Sequence, residues 1–435
     1  RSGDRLFAYV HLDPAHPPRE VMFQWRSGAS WEHRAYWGED RIAFGQAGTH
    51  SRLPLGPSPP TGQWIRLEAP AAAVGLEEAV VTGFSVAVDA GRIWWDRVGR
   101  STCHDGDSRL YTGPVLVSTN SVLRWRAAGP GSLPSPIVTR HYLFDPPSNI
   151  AVVALATPPE GLFSQTDGIF VMGTNAYPRP PYYMANFWCP WERQTRAEFF
   201  EPDQTVGFSQ DVGVLVRGAW SRASAQKSIE LEARRRYGAG NIHHRVFPQL
   251  ELDTFDCLVL GQRGIDFRDP LVHSLMTGTA ADILAGRPAH VYFNAQYWGI
   301  YYIQEKIDET YLVGHHGSEA IPADLVEDGW DPKSGDWLGL YELSAYMQRA
   351  DLTTPEGYAG AQARMDIDNF IDYQLIEIFA DNRDWFGHNV MNWRPRREGG
   401  VWRWLVKDVD WTFDVTGDGP QRNTLASAIG CGARE

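Results

Sequence analysis

The chain has 435 residues, of which 43% are hydrophobic and 21% are charged, and its formal net charge at pH 7 is −13. This length exceeds that of a typical domain several-fold, and the composition excludes a disordered or fibrous protein. No apolar run approaches the roughly 20 residues that a membrane-spanning helix needs. Because the chain begins with Arg1 rather than Met, we expect a fragment of a longer protein, so the lack of a signal peptide does not exclude export.

The negative charge is concentrated in the C-terminal part of the chain. Residues 1–150 carry 15 basic and 14 acidic groups, whereas residues 151–435 carry 25 and 39. This balance predicts that neither nucleic acid nor an anionic membrane surface is a partner, and it suits a site that holds cations. Only four of the 40 basic residues are lysines, namely Lys227, Lys306, Lys333 and Lys407. The four cysteines lie far apart in sequence, which disfavours a zinc site or a disulfide scaffold.

Residues 1–100 have the pattern of an all-β sandwich. Short alternating runs over residues 6–12, 20–25, 62–67 and 80–88 are separated by Pro and Gly, as is typical of antiparallel strands. Five tryptophans are candidates for stacking on sugar rings, with core packing as the alternative: Trp25, Trp31, Trp37, Trp94 and Trp95. This region resembles β-sandwich modules of bacterial surface proteins, and the resemblance implies attachment or glycan recognition.

Residues 101–149 are predicted to form a small second β module that ends in a linker. Its strands are expected over residues 122–127 and 137–144, and the linker over residues 145–148. The segment 101–146 resembles the second half of the immunoglobulin-like module at the C-terminus of chitobiases and hexosaminidases.

Residues 150–435 read as a third domain, in which helices and strands are mixed. Strands are predicted over residues 212–216, 227–233, 289–293, 298–303, 390–393 and 401–406. A helix is predicted over residues 268–277, with Asp266 as its N-cap, and another over residues 365–380. The second helix has an apolar face at i, i+3, i+4 spacing, made of Ile367, Phe370, Ile371, Leu375, Ile378 and Phe379. The whole chain is therefore expected to have β-sandwich modules followed by an α+β domain.

The residues after the long helix have the order of groups that phosphoryl transfer needs. Asp384 precedes Asn389 by five positions, a hairpin follows, and Asp408 and Asp410 come directly after it. In protein kinases a carboxylate accepts the proton of the attacking hydroxyl, while an amide oxygen and a second carboxylate hold Mg²⁺. We therefore predict Asp384 as a catalytic base and Asn389, Asp408 and Asp410 as metal ligands, with turn formation or capping as the alternative.

The phosphates of a nucleotide also need partners on the opposite side. Arg217, Gly218 and the small-residue loop that contains Ser221 lie between two predicted strands, and Lys227 opens the second strand. Kinases place a Lys on the strand after a glycine-containing loop, where it meets the phosphates. Glu305 is expected either to pair with Lys227 or to lie at the edge of an adenine pocket.

Together these residues resemble the spore coat protein CotH family over about residues 150–413. The landmarks are Val216-Arg217-Gly218 with Ser221-Arg222, Lys227-Ser228, Asp266 with Arg268-Asp269, residues 291–294, residues 298–301, Glu305-Lys306-Ile307-Asp308, residues 366–370, Asn382-x-Asp384-Trp385 and Asp408-x-Asp410. The resemblance implies an atypical protein-kinase-like domain that uses ATP and Mg²⁺ to phosphorylate Ser or Thr of surface or secreted proteins. It implies an extracellular or cell-surface location. The alternative is a catalytically inactive surface scaffold that binds glycan through its N-terminal modules.

Overall fold

The structure, a computed structural model, describes residues 3–102, 109–144, 146, 149–262, 267–385, 387–414, 417, 419 and 422–429. It is mostly β, with several sheets and a few helices. The chain divides into a first unit of residues 1–116 and 124–138 and a second unit of residues 117–123 and 139–435. The domain ranges 1–100, 101–149 and 150–435 stay predictions. Among the described helices, none combines the length and apolarity needed to cross a membrane.

The first unit contains two sheets that share one hydrophobic core. Its strands are β1 (Asp4–Leu12), β2 (Glu20–Ser27), β3 (Ser30–Gly38), β4 (Leu53–Gly56), β5 (Trp64–Pro70), β6 (Val81–Asp89) and β7 (Ile93–Thr102). One sheet has the order β5-β1-β7 and the other β4-β3-β2-β6. The alternation of side chains along β1 gives its sheet one face towards this core. Alternate residues from Leu6 to Leu12 enter the core, while Arg5, Phe7, Tyr9 and His11 lie half-buried on the other face.

Two of the five candidate tryptophans are core residues, as core packing predicts, and these two are not available to stack on sugars. Trp25 and Trp37 are 2% and 6% exposed and pack with Phe23. Both residues face inward because the two-residue period of their strands places them opposite the other sheet. Trp31, Trp94 and Trp95 remain exposed.

Strands β8 (Ser121–Trp125) and β9 (Val138–Tyr142) form a two-stranded sheet. The second strand lies within the predicted range 137–144, and the first overlaps the predicted range 122–127 but begins one residue earlier. Three of the four predicted linker positions, 145, 147 and 148, lie outside the described residues. Within the second unit, Glu198 holds β9 in place. One of its carboxylate oxygens lies 2.7 Å from the His141 backbone nitrogen, from which it accepts a hydrogen bond, and 2.8 Å from the His141 ring nitrogen.

The second unit is built around a closed seven-stranded barrel. The strands are β10 (Ala151–Ala156), β11 (Arg193–Phe200), β12 (Val206–Val216), β13 (Ile229–Glu232), β16 (Cys257–Gly261), β17 (Gly286–Phe293) and β18 (Gln296–Glu305), and β14 (Ile242–His243) and β15 (Thr254–Phe255) form a small separate pair. The order is β10-β11-β12-β13-β16-β18-β17, closed by the parallel pairing of β10 with β17. Its interior is apolar and includes Leu155, Phe199, Val214 and Tyr301.

A four-stranded sheet and most of the helices follow the barrel. The sheet has the order β20-β19-β21-β22, from β19 (Ala323–Glu327), β20 (Asp331–Ser334), β21 (Met391–Pro395) and β22 (Arg403–Leu405). The helices are α1 (Pro159–Phe163), α2 (Arg268–Leu275), α3 (Glu309–His316), α4 (Leu338–Arg349), α5 (Pro355–Gln362), α6 (Ile367–Phe379) and α7 (Thr424–Ala428). The predicted cap Asp266 lies outside the described residues. The kinase-like arrangement of these elements stays a prediction.

The buried face of α6 differs from the predicted one. Its buried residues are Asn369, Tyr373, Ile376 and Glu377, whereas Ile371, Leu375 and Phe379 are 47%, 58% and 72% exposed. Polar groups explain the rotation, because the Asn369 side chain donates to the carbonyls of Ala280 and Trp404 at 3.1 and 3.0 Å. A hydrophobicity pattern does not count such hydrogen bonds, so it is right only for Ile367, Phe370 and Ile378, which are partly buried against the core.

Phe23→Ala should destabilise the first unit by about 3–5 kcal/mol, because the fully buried ring contacts Trp25, Trp37 and Phe84 and its loss leaves a cavity. Chemical denaturation of the full chain, followed by tryptophan fluorescence, measures the change. The control Val80→Ala removes a side chain that is 75% exposed and should change stability by less than about 0.5 kcal/mol. Equal effects of the two substitutions would contradict the described core.

Candidate functional site

Asp384 and Asn389 meet in the loop between α6 and β21. The Asn389 side-chain nitrogen donates a hydrogen bond to a carboxylate oxygen of Asp384 at 3.0 Å. The two residues are five positions apart in sequence, and their side chains are in direct contact. The Asn389 side-chain oxygen is therefore the atom left for a further ligand. Both residues are half-buried.

Asp408 lies at the same end of the hairpin as Asn389. In the pairing of β21 with β22, Met391 is opposite Leu405 at the open end of the hairpin. Two residues beyond this pair, the same antiparallel register would place Asn389 opposite Lys407. Asn389 and the segment from Lys407 onward thus leave the hairpin at the same end. The hairpin therefore brings a predicted amide ligand and a predicted carboxylate ligand to one place.

Backbone hydrogen bonds bring the Asp384 loop beside the segment that follows Asp410. The Arg383 N–H donates to the Trp411 carbonyl at 2.9 Å, and the Phe413 N–H donates to the Ala380 carbonyl at 2.7 Å. The first of these bonds joins the sequence neighbours of Asp384 and Asp410. The four predicted catalytic and metal-binding residues thus converge on one region of the second unit.

Left-handed backbone conformations occur within this region. Asn389 and Asp408 have φ angles of +64° and +52°, in the range that favours glycine. Such conformations cost free energy in most residues and cluster at functional sites. Asn and Asp are the non-glycine residues that tolerate them best, so either a turn or a ligand role is consistent with the residue types.

A buried carboxyl group supports the Asp384 loop from the helix. Glu377 is 1% exposed, and its carboxyl oxygen accepts a hydrogen bond from the Asn382 side chain at 2.8 Å. The Asn382 side-chain oxygen in turn accepts the Asp384 N–H at 3.0 Å. Burial raises the pKa of Glu377 to about 7, against the opposing effects of Asn382 and Tyr373. The Asp384 backbone is thus connected to a group that titrates near neutral pH.

A cavity of about 710 Å³ lies between the barrel and the four-stranded sheet. Residues on both sides carry charge, and each side has a carboxylate that bridges two cations. On the barrel side Glu230 binds Arg217 at 3.1 Å and Lys306 at 3.3 Å. On the sheet side Glu327 binds Lys333 at 2.7 Å and also contacts Lys407.

Lys407 lies next to both the cavity and the region that contains Asp384, Asn389, Asp408 and Asp410. It lines the cavity and immediately precedes Asp408. Burial lowers the pKa of Lys407 to about 8; Asp408 raises it and Arg217 lowers it further. The Lys407 ammonium pairs with Glu327. It is suited to neutralise an anion that extends from the cavity towards the carboxylates.

The Gly218 loop is tightly folded, and Lys227 lies beneath it. Gly218 has a φ angle of +102°, and a Cβ there would lie 2.1 Å from the Ser221 hydroxyl oxygen, so only glycine fits. The Lys227 ammonium donates to the carbonyls of Arg222 and Ser224 at 2.7 and 3.0 Å. It also lies 4.0 Å from the centre of the Phe187 ring. Burial lowers the pKa of Lys227 to about 8.

Glu305 is buried at the end of β18, and the described contacts do not pair it with Lys227. Its carboxyl oxygens accept the Ala285 N–H at 2.8 Å and approach the His315 ring nitrogen at 2.8 Å. It helps to line a small second cavity beside the first. Of the two placements left open by the sequence, the pair with Lys227 is not formed.

The structure thus divides the predicted residues into groups. Asp384, Asn389, Asp408 and Asp410 lie in one region and Arg217 lines the cavity, whereas Lys227, Ser221 and Glu305 have local partners of their own. Residues not predicted as site residues include Lys306, Lys333, Lys407, Glu230, Glu327, Glu377 and Asn382. The rarity of lysine was a usable signal, because three of the four lysines line the cavity.

One further group of metal-ligating side chains is present among the described residues. Ligand atoms of Glu230, Glu232 and Cys257 lie within 4.8 Å of one another. The Lys306 ammonium lies 2.6 Å from a Glu232 oxygen and 3.3 Å from a Glu230 oxygen. The Lys306 ammonium therefore already provides the positive charge that a bound metal ion would bring to this group.

Glu377→Gln should change the pH dependence of stability. For a carboxyl group whose pKa rises from 4.5 to about 7 on folding, deprotonation is harder in the folded state. Its contribution to the free energy of unfolding is therefore full below pH 4.5 and is lost as pH rises through about 7, by up to ~3 kcal/mol. Denaturation from pH 4.5 to 8 should show this decline in the wild type and a smaller one in Glu377→Gln.

The control for that experiment is Glu342→Gln, which removes the charge of an exposed glutamate on α4. It should retain the decline in stability of the wild type. Identical pH profiles for the wild type and Glu377→Gln would contradict the described environment of Glu377.

Comparison with known protein families places the convergent residues within one match. Residues 214–430 match the family described as CotH kinase protein, a range that includes Arg217, Lys227, Asp384, Asn389, Asp408 and Asp410. No curated protein matches the chain. The weaker resemblances at residues 1–100 and 101–146 are not confirmed. Through residues 214–430, the chain belongs to the CotH kinase protein family.

Proposed function

We propose that the second unit binds ATP with Mg²⁺ in the 710 Å³ cavity and transfers the γ-phosphate to Ser or Thr of surface or secreted proteins. One observation carries this proposal: Asp384, Asn389, Asp408 and Asp410 converge beside Lys407, which lines the cavity. We propose further that the protein is exported and acts at the cell surface. Membership of the CotH kinase protein family supports this reading.

The oxygen atoms of the convergent residues fit Mg²⁺, a hard cation that prefers carboxylate and amide oxygens. Asn389 would offer its side-chain oxygen, since its nitrogen donates to Asp384. Asp408 and Asp410 would offer carboxylate oxygens. Bound Mg²⁺ would neutralise charge on the phosphates during transfer.

The remaining groups have separate tasks in this proposal. Asp384 accepts the proton of the attacking Ser or Thr hydroxyl, and its contact with Asn389 keeps the carboxylate oriented. Lys407 and Arg217 meet the phosphates from the cavity side, and to do so they exchange the carboxylates of Glu327 and Glu230 for phosphate oxygens. The Asn382–Glu377 pair positions the Asp384 backbone.

The internal pairing of the cavity's cations favours the alternative function, a non-catalytic surface scaffold. Glu230 and Glu327 together hold Arg217, Lys306, Lys333 and Lys407. Lys227 is held by backbone carbonyls. A domain in which these contacts persist would retain the fold without binding a nucleotide. The two functions therefore differ in whether the cations exchange partners.

Thermal unfolding of the full chain with ATP, with and without Mg²⁺, separates the two functions. ATP at ~100 times its Kd should stabilise the folded state by roughly 2.7 kcal/mol, and only when Mg²⁺ is present. Asp408→Ala should abolish the Mg²⁺-dependent part. Asp384→Ala should keep it and lose transfer of radiolabelled phosphate.

The matched control is Asp368→Ala, which removes an exposed aspartate from the start of α6. This variant should respond to ATP and Mg²⁺ like the wild type. Absence of stabilisation in a folded wild-type chain would rule out the ATP-binding function and favour the scaffold.

Lys407→Met and Lys227→Met distinguish two placements of the phosphates. Because Lys407 lines the cavity and meets the phosphates in this proposal, its loss should weaken ATP binding at least about tenfold. Because the Lys227 ammonium is held by the carbonyls of Arg222 and Ser224, its loss should weaken binding much less. Calorimetric titration with ATP and Mg²⁺ measures both, and the reverse order would move the phosphates to the Gly218 loop.

A further inference from the structure

The outer face of the β5-β1-β7 sheet carries aromatic residues in aligned rows. Residues Phe7, Tyr9 and His11 of β1 point away from the core, which their alternate neighbours occupy. His11 is directly opposite Trp64 on β5 and Trp94 on β7. The three residues therefore form one row across three adjacent strands.

The rings of this row are in contact. The His11 ring lies edge-on to Trp64 at 5.6 Å and to Trp94 at 5.4 Å between ring centres. Trp94 is 47% exposed. Because neighbouring strands are about 4.8 Å apart, the two tryptophans are separated by about 10 Å across the sheet. The row therefore offers two indole rings with a histidine between them.

Polar groups lie beside this row on the same face. Tyr9 is directly opposite Arg66 and Asp96, in the row next to His11. Glu68 binds Arg5 at 2.6 Å and also contacts Arg66. Two basic and two acidic residues thus balance in charge, which disfavours a strongly anionic or cationic ligand. In addition, the His11 Nδ1 atom is buried without a hydrogen-bond partner.

The size of the surface also limits what it binds. From Phe7 to His11 the face extends about 14 Å along the strand, and it is about 10 Å wide. That area is far below the roughly 800 Å² per partner of a stable protein–protein interface. A small ligand fits these dimensions better than a folded protein or a second copy of the chain.

We propose that the Trp64–His11–Trp94 row is a binding site for a neutral glycan built of pyranose rings. A pyranose ring has an apolar face of C–H groups, which packs on the negative face of an indole ring, and a rim of hydroxyl groups. Arg66 and Asp96 supply partners for hydroxyl groups on one side of the row. This site is independent of the cavity in the second unit and of its proposed reaction.

Titration of the full chain with soluble hexasaccharides tests the proposal. Cellohexaose, chitohexaose, xylohexaose and mannohexaose are the probes, and calorimetry and tryptophan fluorescence are the measurements. At least one probe should bind and alter the fluorescence. Trp94→Ala and Trp64→Ala should each weaken that binding about tenfold, since each removes one stacking surface.

Two further variants separate stacking from general damage to the fold. Trp94→Phe keeps an aromatic face and should weaken binding less than Trp94→Ala. Trp31→Ala removes a tryptophan that is 37% exposed on β3 of the other sheet, and it should leave binding within about twofold of the wild type.

Three outcomes would overturn the proposal. One is the absence of binding to all four hexasaccharides. Another is binding that Trp94→Ala and Trp64→Ala leave unchanged. The third is a self-associated chain in sedimentation velocity that Trp94→Ala dissociates, because the row would then be an interface between copies.

Discussion

The backbone pairing between residues 380–383 and residues 411–413 is the constraint on which the candidate site depends. The Arg383 and Phe413 N–H groups donate across it. The Phe379–Phe413 ring contact and the hydrogen bond from the Thr424 hydroxyl to Asp381 also join the end of α6 to the segment after β22. With these contacts, a base candidate on one segment and metal-ligand candidates on the other are held at fixed separation. Fixed separation is what a phosphoryl-transfer site needs, because such a site works mainly by positioning and electrostatics.

The sequence predicted what depends on local pattern and missed what depends on side-chain direction. The strands around Val214 and Met391 follow from alternation and turn residues, and the structure has them. The contact of Asp384 with Asn389 follows from their spacing in one loop. The partners of Lys227 do not follow from the sequence. A lysine side chain on a strand can reach in several directions, and the fold of the Gly218 loop determines which carbonyls it contacts. Likewise, the partner of Lys407 is Glu327, which is distant in sequence.

Buried polar groups account for the largest error in the predicted packing. On α6, Asn369 and Glu377 occupy the inner face, and three large apolar residues remain outside. Each inner polar residue has a specific partner: Asn369 binds the backbone of two other segments, and Glu377 holds Asn382. The inner face of this helix is thus selected by hydrogen bonds that position the loop, at the expense of apolar burial.

The charge balance of the cavity determines how an anion would bind there. Four cations and five carboxyl groups line the cavity: Glu230 and Glu327 bridge two cations each, and Asp256, Asp308 and Glu309 lie beside them. An incoming polyphosphate therefore gains only the difference between its own contacts and those of the two carboxylates. Binding becomes favourable where Mg²⁺ adds further charge, which makes metal and nucleotide interdependent. A scaffold needs only the bridges, whereas an enzyme needs both carboxylates to release their cations, so movement of Glu230 and Glu327 is the physical difference between the two functions.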